Sequence, residues 1–210
     1  MTNYAGRPAA HERHALVQAL QQAGAAADTL CEGWNAHDLA VHVVARDARP
    51  DTVLGQDLPV LGEKAKRAYQ EFEKLSFEDL VRRIQTGAPQ WSPARIRRID
   101  NAMNTLEFFV HTEDVRRGES PDDAADEPQP ARRELPRSVR TALWSQASRT
   151  VMMAAARKAR RRITFLSPGW GAVTHGRAGD PVRVVEGPPE ELVLWAFGRQ
   201  EAAEVSVRKV

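Results

Sequence analysis

The sequence lacks the features that would indicate an oxidising compartment or a membrane. It has a single cysteine, Cys31, among 210 residues, so no internal disulfide can form. No apolar run approaches the roughly 20 residues that a membrane-spanning helix needs. The N-terminal stretch MTNYAGRPAAHERHAL has no continuous apolar core of the kind found in signal peptides. We therefore expect a cytoplasmic protein without a membrane partner.

A strong net charge is missing as well. The 30 basic and 28 acidic residues leave a formal charge of +2, which does not indicate a polyanionic partner. The tract RKARRR at 157–162 could contact phosphates, and DNA retention that depends steeply on salt would support such a role. However, the tract ends a predicted helix, where cations complement the dipole, and no aromatic residues are interleaved to stack on bases. We expect no nucleic-acid partner.

What the sequence does contain is helical periodicity up to about residue 160. Asn35 with Asp38, and Ser76 with Asp79, have the spacing of helix-start capping pairs. The segment 119–131, ESPDDAADEPQPA, is acidic and almost free of large apolar side chains, which predicts an exposed linker. Apolar spacing, caps and helix breakers predict four main helices, over 8–23, about 36–48, about 95–117 and about 136–160, and a short helix that Ser76 with Asp79 begins and Gly87 ends.

The periodicity changes near residue 161. ITFLS, GAVTHG, VRVVEG and EVSVRK are short, β-branched and alternating, which predicts strands. PPEELVLWAFGR, between the last two, predicts a helix that begins at a proline. The sequence therefore predicts a mainly α fold, with a four-helix bundle over 1–160 and a small α+β module over 161–210.

A polar stripe lies along the predicted helix 95–117. Glu107 and His111 are four residues apart, so both side chains can point to one place, as in half of a metal site. Asn104 and Asp114 continue the same edge. His42 is the best candidate for a third ligand, because an unpaired imidazole within its apolar helix would be costly. Two histidines and a glutamate with an open position are typical of a catalytic metal site.

The same residues have structural explanations. A Glu and a His at this spacing often form only a surface pair or a helix-stabilising hydrogen bond. Arg46, four residues after His42, could line the pocket and bind an anionic substrate, or it could pair with Asp114 or Glu12. Cys31 has no flanking signature of a nucleophile, so we expect a small buried apolar side chain there.

Three segments resemble a known family. CEGWNAHDLAVHVV resembles the "G-W-x-x-x-D-L-x-x-H" segment of DinB-like four-helix-bundle metalloproteins, and LEFFVHTEDVRR resembles their "E-x-x-x-H-x-x-D" segment. More closely, the chain resembles the actinobacterial relatives of mycothiol-dependent maleylpyruvate isomerase. The tail VRVVEGPPEELVLWAFGR is similar to their C-terminal "G-x-x-x-E-L-x-L-x-x-x-G-R" module. The resemblance implies a DinB-like fold.

The resemblance also implies a ligand set. By position the metal ligands are His42, Glu107 and His111, which is the set that the spacing proposed. Zn²⁺ is the expected ion, although Ni, Fe or Mn fits the same donors. Asp114 would orient His111 or an outer water. The arginine of the C-terminal Gly-Arg pair, here Arg199, would face the active site and bind a substrate carboxylate, or it would only complement a helix dipole.

The expected function is that of a metal-dependent enzyme. The metal would activate a thiol or water for attack on a small electrophile, as in an isomerase or a thiol S-transferase, with mycothiol as a possible co-substrate. The alternative is a non-catalytic metal-binding or interaction protein. The acidic linker and the short C-terminal module depart from the isomerase pattern, so maleylpyruvate is not implied as the substrate. We expect a monomer or a homodimer.

Overall fold

The computed structural model describes residues 6–48, 62–88, 96–118 and 130–210. Most of the predicted linker 119–131, and the start of the predicted helix at 95, lie outside these residues. Within the described ranges, none of the helices is long and apolar enough to cross a membrane. The elements are α1 (Pro8–Ala23), α2 (Ala36–Ala48), α3 (Gly62–Glu73), α4 (Phe77–Thr86), α5 (Arg97–Arg116), α6 (Arg137–Ala147), α7 (Val151–Ala159), β1 (Arg162–Ser167), β2 (Gly171–His175), β3 (Val182–Glu186), α8 (Pro189–Ala196) and β4 (Ser206–Lys209).

The capping signals act as predicted. The Asp38 backbone N–H donates to Asn35 Oδ1 at 3.0 Å, and the Asn35 N–H donates to Asp38 Oδ2 at 3.2 Å, so both donors at the start of α2 are satisfied. Ser76 Oγ accepts from the Asp79 N–H at the start of α4. Gly87 ends α4 with a positive φ of 78°, which glycine adopts without a steric penalty.

The chain divides into two compact units, and the first comprises residues 9–131. Its apolar core joins α1, α2, α4 and α5, and α2 also packs against α3. Phe108 of α5 is fully buried, and the Arg13 guanidinium lies 4.4 Å from the centre of its ring. The largest fully buried side chains of this core are Leu16, Leu20, Leu39, Leu80, Ile84 and Phe108.

The second unit has 6–8 and 132–210 as its described residues. Its sheet has the order β2-β1-β3-β4, in which β1 and β3 are parallel and the outer pairs are antiparallel. The apolar helix α8 packs on α6, α7 and β1. Trp195 of α8 meets Phe165 of β1 edge to face, with ring centres 5.7 Å apart.

The predicted helix 136–160 is in fact two helices, α6 and α7. Between them the Ser148 hydroxyl donates to the Ser145 carbonyl at 3.3 Å, and the Thr150 hydroxyl donates to the Gln146 carbonyl at 2.9 Å. Both helices belong to the unit that contains the sheet, because α8 covers them. The division that we predicted at residue 160 therefore differs from this grouping, which begins at Arg132.

Candidate metal centre

Helices α2 and α5 bring the three predicted ligands together inside the unit 9–131. His42 comes from α2, and Glu107 and His111 lie one turn apart on α5. One donor atom from each of the three lies within 4.8 Å of the other two. Glu107 Oε1 is 3.4 Å from His42 Nε2 and 3.2 Å from His111 Nε2. Ligand atoms around a tetrahedral Zn²⁺ with bonds of about 2.0 Å are about 3.3 Å apart, so these residues fit such an ion.

The other nitrogen of His111 has its own partner. Nδ1 lies 3.0 Å from Oδ2 of Asp114, whose side chain is fully buried. The carboxylate can only accept, so the ring donates from Nδ1 and leaves Nε2 directed at Glu107. Metal-binding histidines usually have such a carboxylate partner, which fixes the tautomer and the ring orientation. Asp114 therefore lies within hydrogen-bond distance of His111, and its orienting role stays a prediction.

The neighbours of His111 determine how readily its ring is protonated. Burial by itself would lower the pKa of His111, but hydrogen bonds with Asp114, Cys31 and Glu107 and the charge of Glu107 raise it well above its usual value. These contacts favour the protonated form of the His111 ring. A cation that binds Nε2 replaces the proton on that nitrogen.

Glu107 is ionised for the complementary reason. Burial by itself would raise the pKa of its carboxyl, but hydrogen bonds from His111 and His42, with the charges of His111 and Arg46, hold it well below its usual range. The carboxylate is thus available as a ligand throughout the physiological pH range.

Arg46 and Asn104 form a polar network behind Glu107. Arg46 Nε lies 3.4 Å from Glu107 Oε1, and its Nη1 donates to Asn104 Oδ1 at 2.6 Å. The Asn104 amide in turn donates to Asp100 Oδ1 at 2.8 Å. Asn104 is almost fully buried, so its contact with Arg46 satisfies a buried acceptor. The structure therefore places both predicted residues beside the centre, with Arg46 against Glu107 and Asn104.

A cavity of about 550 Å³ opens beside His42. The His42 ring lies against Trp34, with ring centres 5.2 Å apart, and meets the His111 ring edge-on at 5.4 Å. Burial, with the negative charges of Glu73 and Asp38, raises the pKa of Tyr69. The cavity is therefore aromatic and acidic in character. Its lining residues are Gly33, Trp34, Asp38, Val41, His42, Tyr69 and Glu73.

Solved structures of similar fold were found, although no protein-family model and no curated protein matches the sequence. A crystal structure of the mycothiol-dependent maleylpyruvate isomerase matches with a TM-score of 0.60 and 15% identity. A histidine-to-alanine mutant of that enzyme matches with a TM-score of 0.61, also at 15% identity. Each match covers 99% of this chain and 95% of the other. The chain has the fold of this isomerase. The predicted fold, a DinB-like helical bundle with a small α+β module, is thereby confirmed.

Within this isomerase fold, Arg199 lies just after α8, in the unit that contains the sheet. Its Nη1 donates to the Phe197 carbonyl at 2.9 Å. A carbonyl near the end of a helix is a suitable acceptor for a cation, which accords with the dipole explanation given above. Its role towards a substrate carboxylate stays a prediction.

The contact of the Cys31 thiol with Asp114 was not predicted from the sequence. We expected an inert buried side chain, but the thiol is half-buried and donates to Asp114 Oδ2 at 3.2 Å. The turn that carries it is fixed by contacts distant in sequence, including a hydrogen bond of 3.0 Å from the Leu30 N–H to the Asp114 carbonyl. No local sequence signal indicates such a contact.

Proposed function

We propose that the protein is a divalent-metal-dependent enzyme that activates a thiol or water for attack on a small electrophilic substrate. The observation that carries this proposal is the convergence of His42, Glu107 and His111, with Asp114 bound to the second nitrogen of His111. Three protein ligands leave at least one coordination position open, as in catalytic rather than structural zinc sites. The shared fold with a mycothiol-dependent isomerase supports the same reading.

His42 and His111 would hold the ion through Nε2, and Glu107 through its carboxylate. When bound, the ion supplies Lewis acidity and lowers the pKa of a coordinated water or thiol. Zn²⁺ suits a set of two imidazoles and one carboxylate, and Ni, Fe or Mn would accept the same donors.

The surrounding side chains set the charge and orientation of these ligands. Asp114 accepts the Nδ1 proton of His111 and so keeps Nε2 free of that proton. Arg46 balances part of the Glu107 charge, and Asn104 holds the Arg46 guanidinium in place. Because Arg46 already has two acceptors, we assign it a positioning role rather than the binding of an anionic substrate.

The cavity beside His42 gives a small molecule access to the centre. Its volume lies within the range of roughly 300–1,000 Å³ that is typical of small-molecule sites. Asp38 and Glu73 place two carboxylates on its wall, so a dianion such as a dicarboxylate would be repelled. We therefore propose a neutral or cationic electrophile, with a low-molecular-weight thiol such as mycothiol as the second substrate.

Metal content is the decisive first measurement. Elemental mass spectrometry of protein purified without chelator should give near-stoichiometric metal for the wild type and very little for His111→Ala. The matched control is His37→Ala, which removes a half-buried histidine of the same helix as His42 that lies outside the ligand group. This control should keep its metal. A folded wild type that contains no metal and does not bind added Zn²⁺ would overturn the proposal.

Catalysis is tested on the metal-loaded protein. Consumption of a low-molecular-weight thiol in the presence of small electrophiles should be faster than the uncatalysed reaction and should be lost in His111→Ala. The second candidate, a non-catalytic metal protein, is favoured if chelation unfolds the helical unit, since structural sites contribute folding energy directly. An open catalytic site should leave the unit folded after chelation.

A further inference from the structure

The imidazole of His111 faces two groups of donor atoms, one on each nitrogen. Nε2 points to Glu107, as described above, whereas Nδ1 lies 3.0 Å from Asp114 Oδ2. Cys31 Sγ lies 3.2 Å from the same oxygen. One donor atom each from Cys31, His111 and Asp114 lies within 4.8 Å of the other two. The same distance limit holds for His42, Glu107 and His111, which we call the first group.

We infer that Cys31, His111 and Asp114 form a second metal site, in which a thiophilic divalent cation such as Zn²⁺ or Cd²⁺ binds beside the first ion. Thiolate, imidazole and carboxylate are all ligands that zinc accepts, and the thiolate favours soft cations over Mg²⁺ or Ca²⁺. The shared imidazole would bind one ion through each nitrogen. The second site does not depend on the first being catalytic.

The four ligand groups by themselves can balance two divalent cations, and Arg46 beside Glu107 adds one further positive charge. Binding at the second site releases the Cys31 proton and the remaining His111 ring proton. Glu107, Asp114, the Cys31 thiolate and the His111 imidazolate then carry as much negative charge as two divalent cations carry positive charge. If only the first group bound a cation, the buried Asp114 carboxylate would accept hydrogen bonds and would not bind a metal ion.

The turn that carries Cys31 is already positioned by protein contacts. The Cys31 N–H donates to Thr29 Oγ1 at 3.1 Å, and the Thr29 hydroxyl donates to the Trp34 carbonyl at 2.8 Å. The backbone at Asp28 and Thr29 packs directly against Gly118, where a Cβ would overlap the Asp28 carbonyl. A donor held in place without an ion loses little entropy on binding. The half-buried Cys31 also gives an ion a route from solvent.

Cobalt binding tests the inference, because Co²⁺ bound to a thiolate gives a near-ultraviolet sulfur-to-metal charge-transfer absorption. Cys31 is the sole cysteine of the chain, so this band can come from no other residue. Co²⁺ alone would be titrated under argon into metal-free wild type, Cys31→Ser and His42→Ala. Sedimentation would confirm that the band does not arise from two chains that share one ion.

We expect the wild type to bind two Co²⁺ per chain and to show the charge-transfer band. Cys31→Ser should bind one Co²⁺ without the band, and His42→Ala should bind one Co²⁺ with the band retained. Absence of the band in wild type saturated with Co²⁺ would overturn the inference. Loss of the band in His42→Ala would also overturn it, since Cys31 would then belong to the first site. Failure of the first site alone would appear differently, as one ion with an unchanged band in both wild type and His42→Ala.

Discussion

Replacing Asp114 by asparagine tests whether this residue determines the properties of His111. The fully buried Asp114 carboxylate accepts from His111 Nδ1 at 3.0 Å and from Cys31 Sγ at 3.2 Å. Both bonds go to the same oxygen, so an asparagine oxygen there keeps both but makes them neutral, and neutral hydrogen bonds contribute about 0.5–1.5 kcal/mol against about 1.5–3 kcal/mol for charged ones. Asp114→Asn should therefore lower the free energy of unfolding of the metal-free protein by about 2–3 kcal/mol. Its zinc affinity should fall by about 10–100-fold, because a neutral partner no longer raises the basicity of the His111 ring.

The neighbouring Glu113 provides a matched control. It is also a buried carboxylate on α5, but it pairs with Arg116 at 2.9 Å and Arg117 at 2.8 Å, away from the metal ligands. Glu113→Gln should lower stability to a similar extent and leave zinc affinity unchanged. Urea denaturation of the chelated proteins and competition with a chromophoric zinc chelator measure the two quantities. Wild-type zinc affinity in Asp114→Asn, or equal losses of affinity in both variants, would refute the reasoning.

Three further predictions concern pH, the polar network and the backbone. The raised pKa of His111 stabilises the metal-free protein fully below pH about 6.5, and this stability is lost as pH rises through the folded-state value. Zinc affinity should instead rise with pH, because the ion competes with the His111 proton. Between about pH 6 and pH 9, the free energy of unfolding from denaturation should therefore fall while the zinc affinity from titration rises; a change of both in the same direction would contradict the assignment. Arg46→Gln should lower the unfolding free energy by about 1–3 kcal/mol in urea denaturation, because Asn104 and Glu107 lose a charged partner; no change would argue against the network. Arg160→Gly should raise the melting temperature by relieving about 1 kcal/mol of left-handed strain at φ 48°, whereas equal stabilisation by Arg160→Ala would contradict this cause.

Most of the helices, and the juxtaposition of His42, Glu107 and His111, could be predicted because their signals are local. Capping pairs such as Asn35 with Asp38 fix a helix start within four residues. The spacing of Glu107 and His111 already places both side chains on one face of α5. His42 required one further step, namely that the apolar face of α2 packs against the same core, and its apolar neighbours indicated that packing.

The remaining features depend on contacts that no local pattern encodes. Cys31 reaches Asp114 because the turn before α2 hydrogen-bonds to residues more than eighty positions later. Similarly, α6 and α7 belong with the sheet because α8, which follows some thirty residues later, covers their apolar faces. The break between them, where the Ser148 and Thr150 hydroxyls donate to the Ser145 and Gln146 carbonyls, is not signalled by the apolar periodicity.

The contiguity of the first unit has a consequence for biosynthesis. All side chains of both donor groups lie between residues 31 and 114, whereas the sheet begins at Arg162. Domains generally fold as units from the N-terminus during synthesis. A ribosome-bound chain that has exposed residues 9–131 therefore already carries every proposed ligand of the centre. At the proposed centre, ion uptake could therefore begin on the nascent chain while the sheet is still being synthesised.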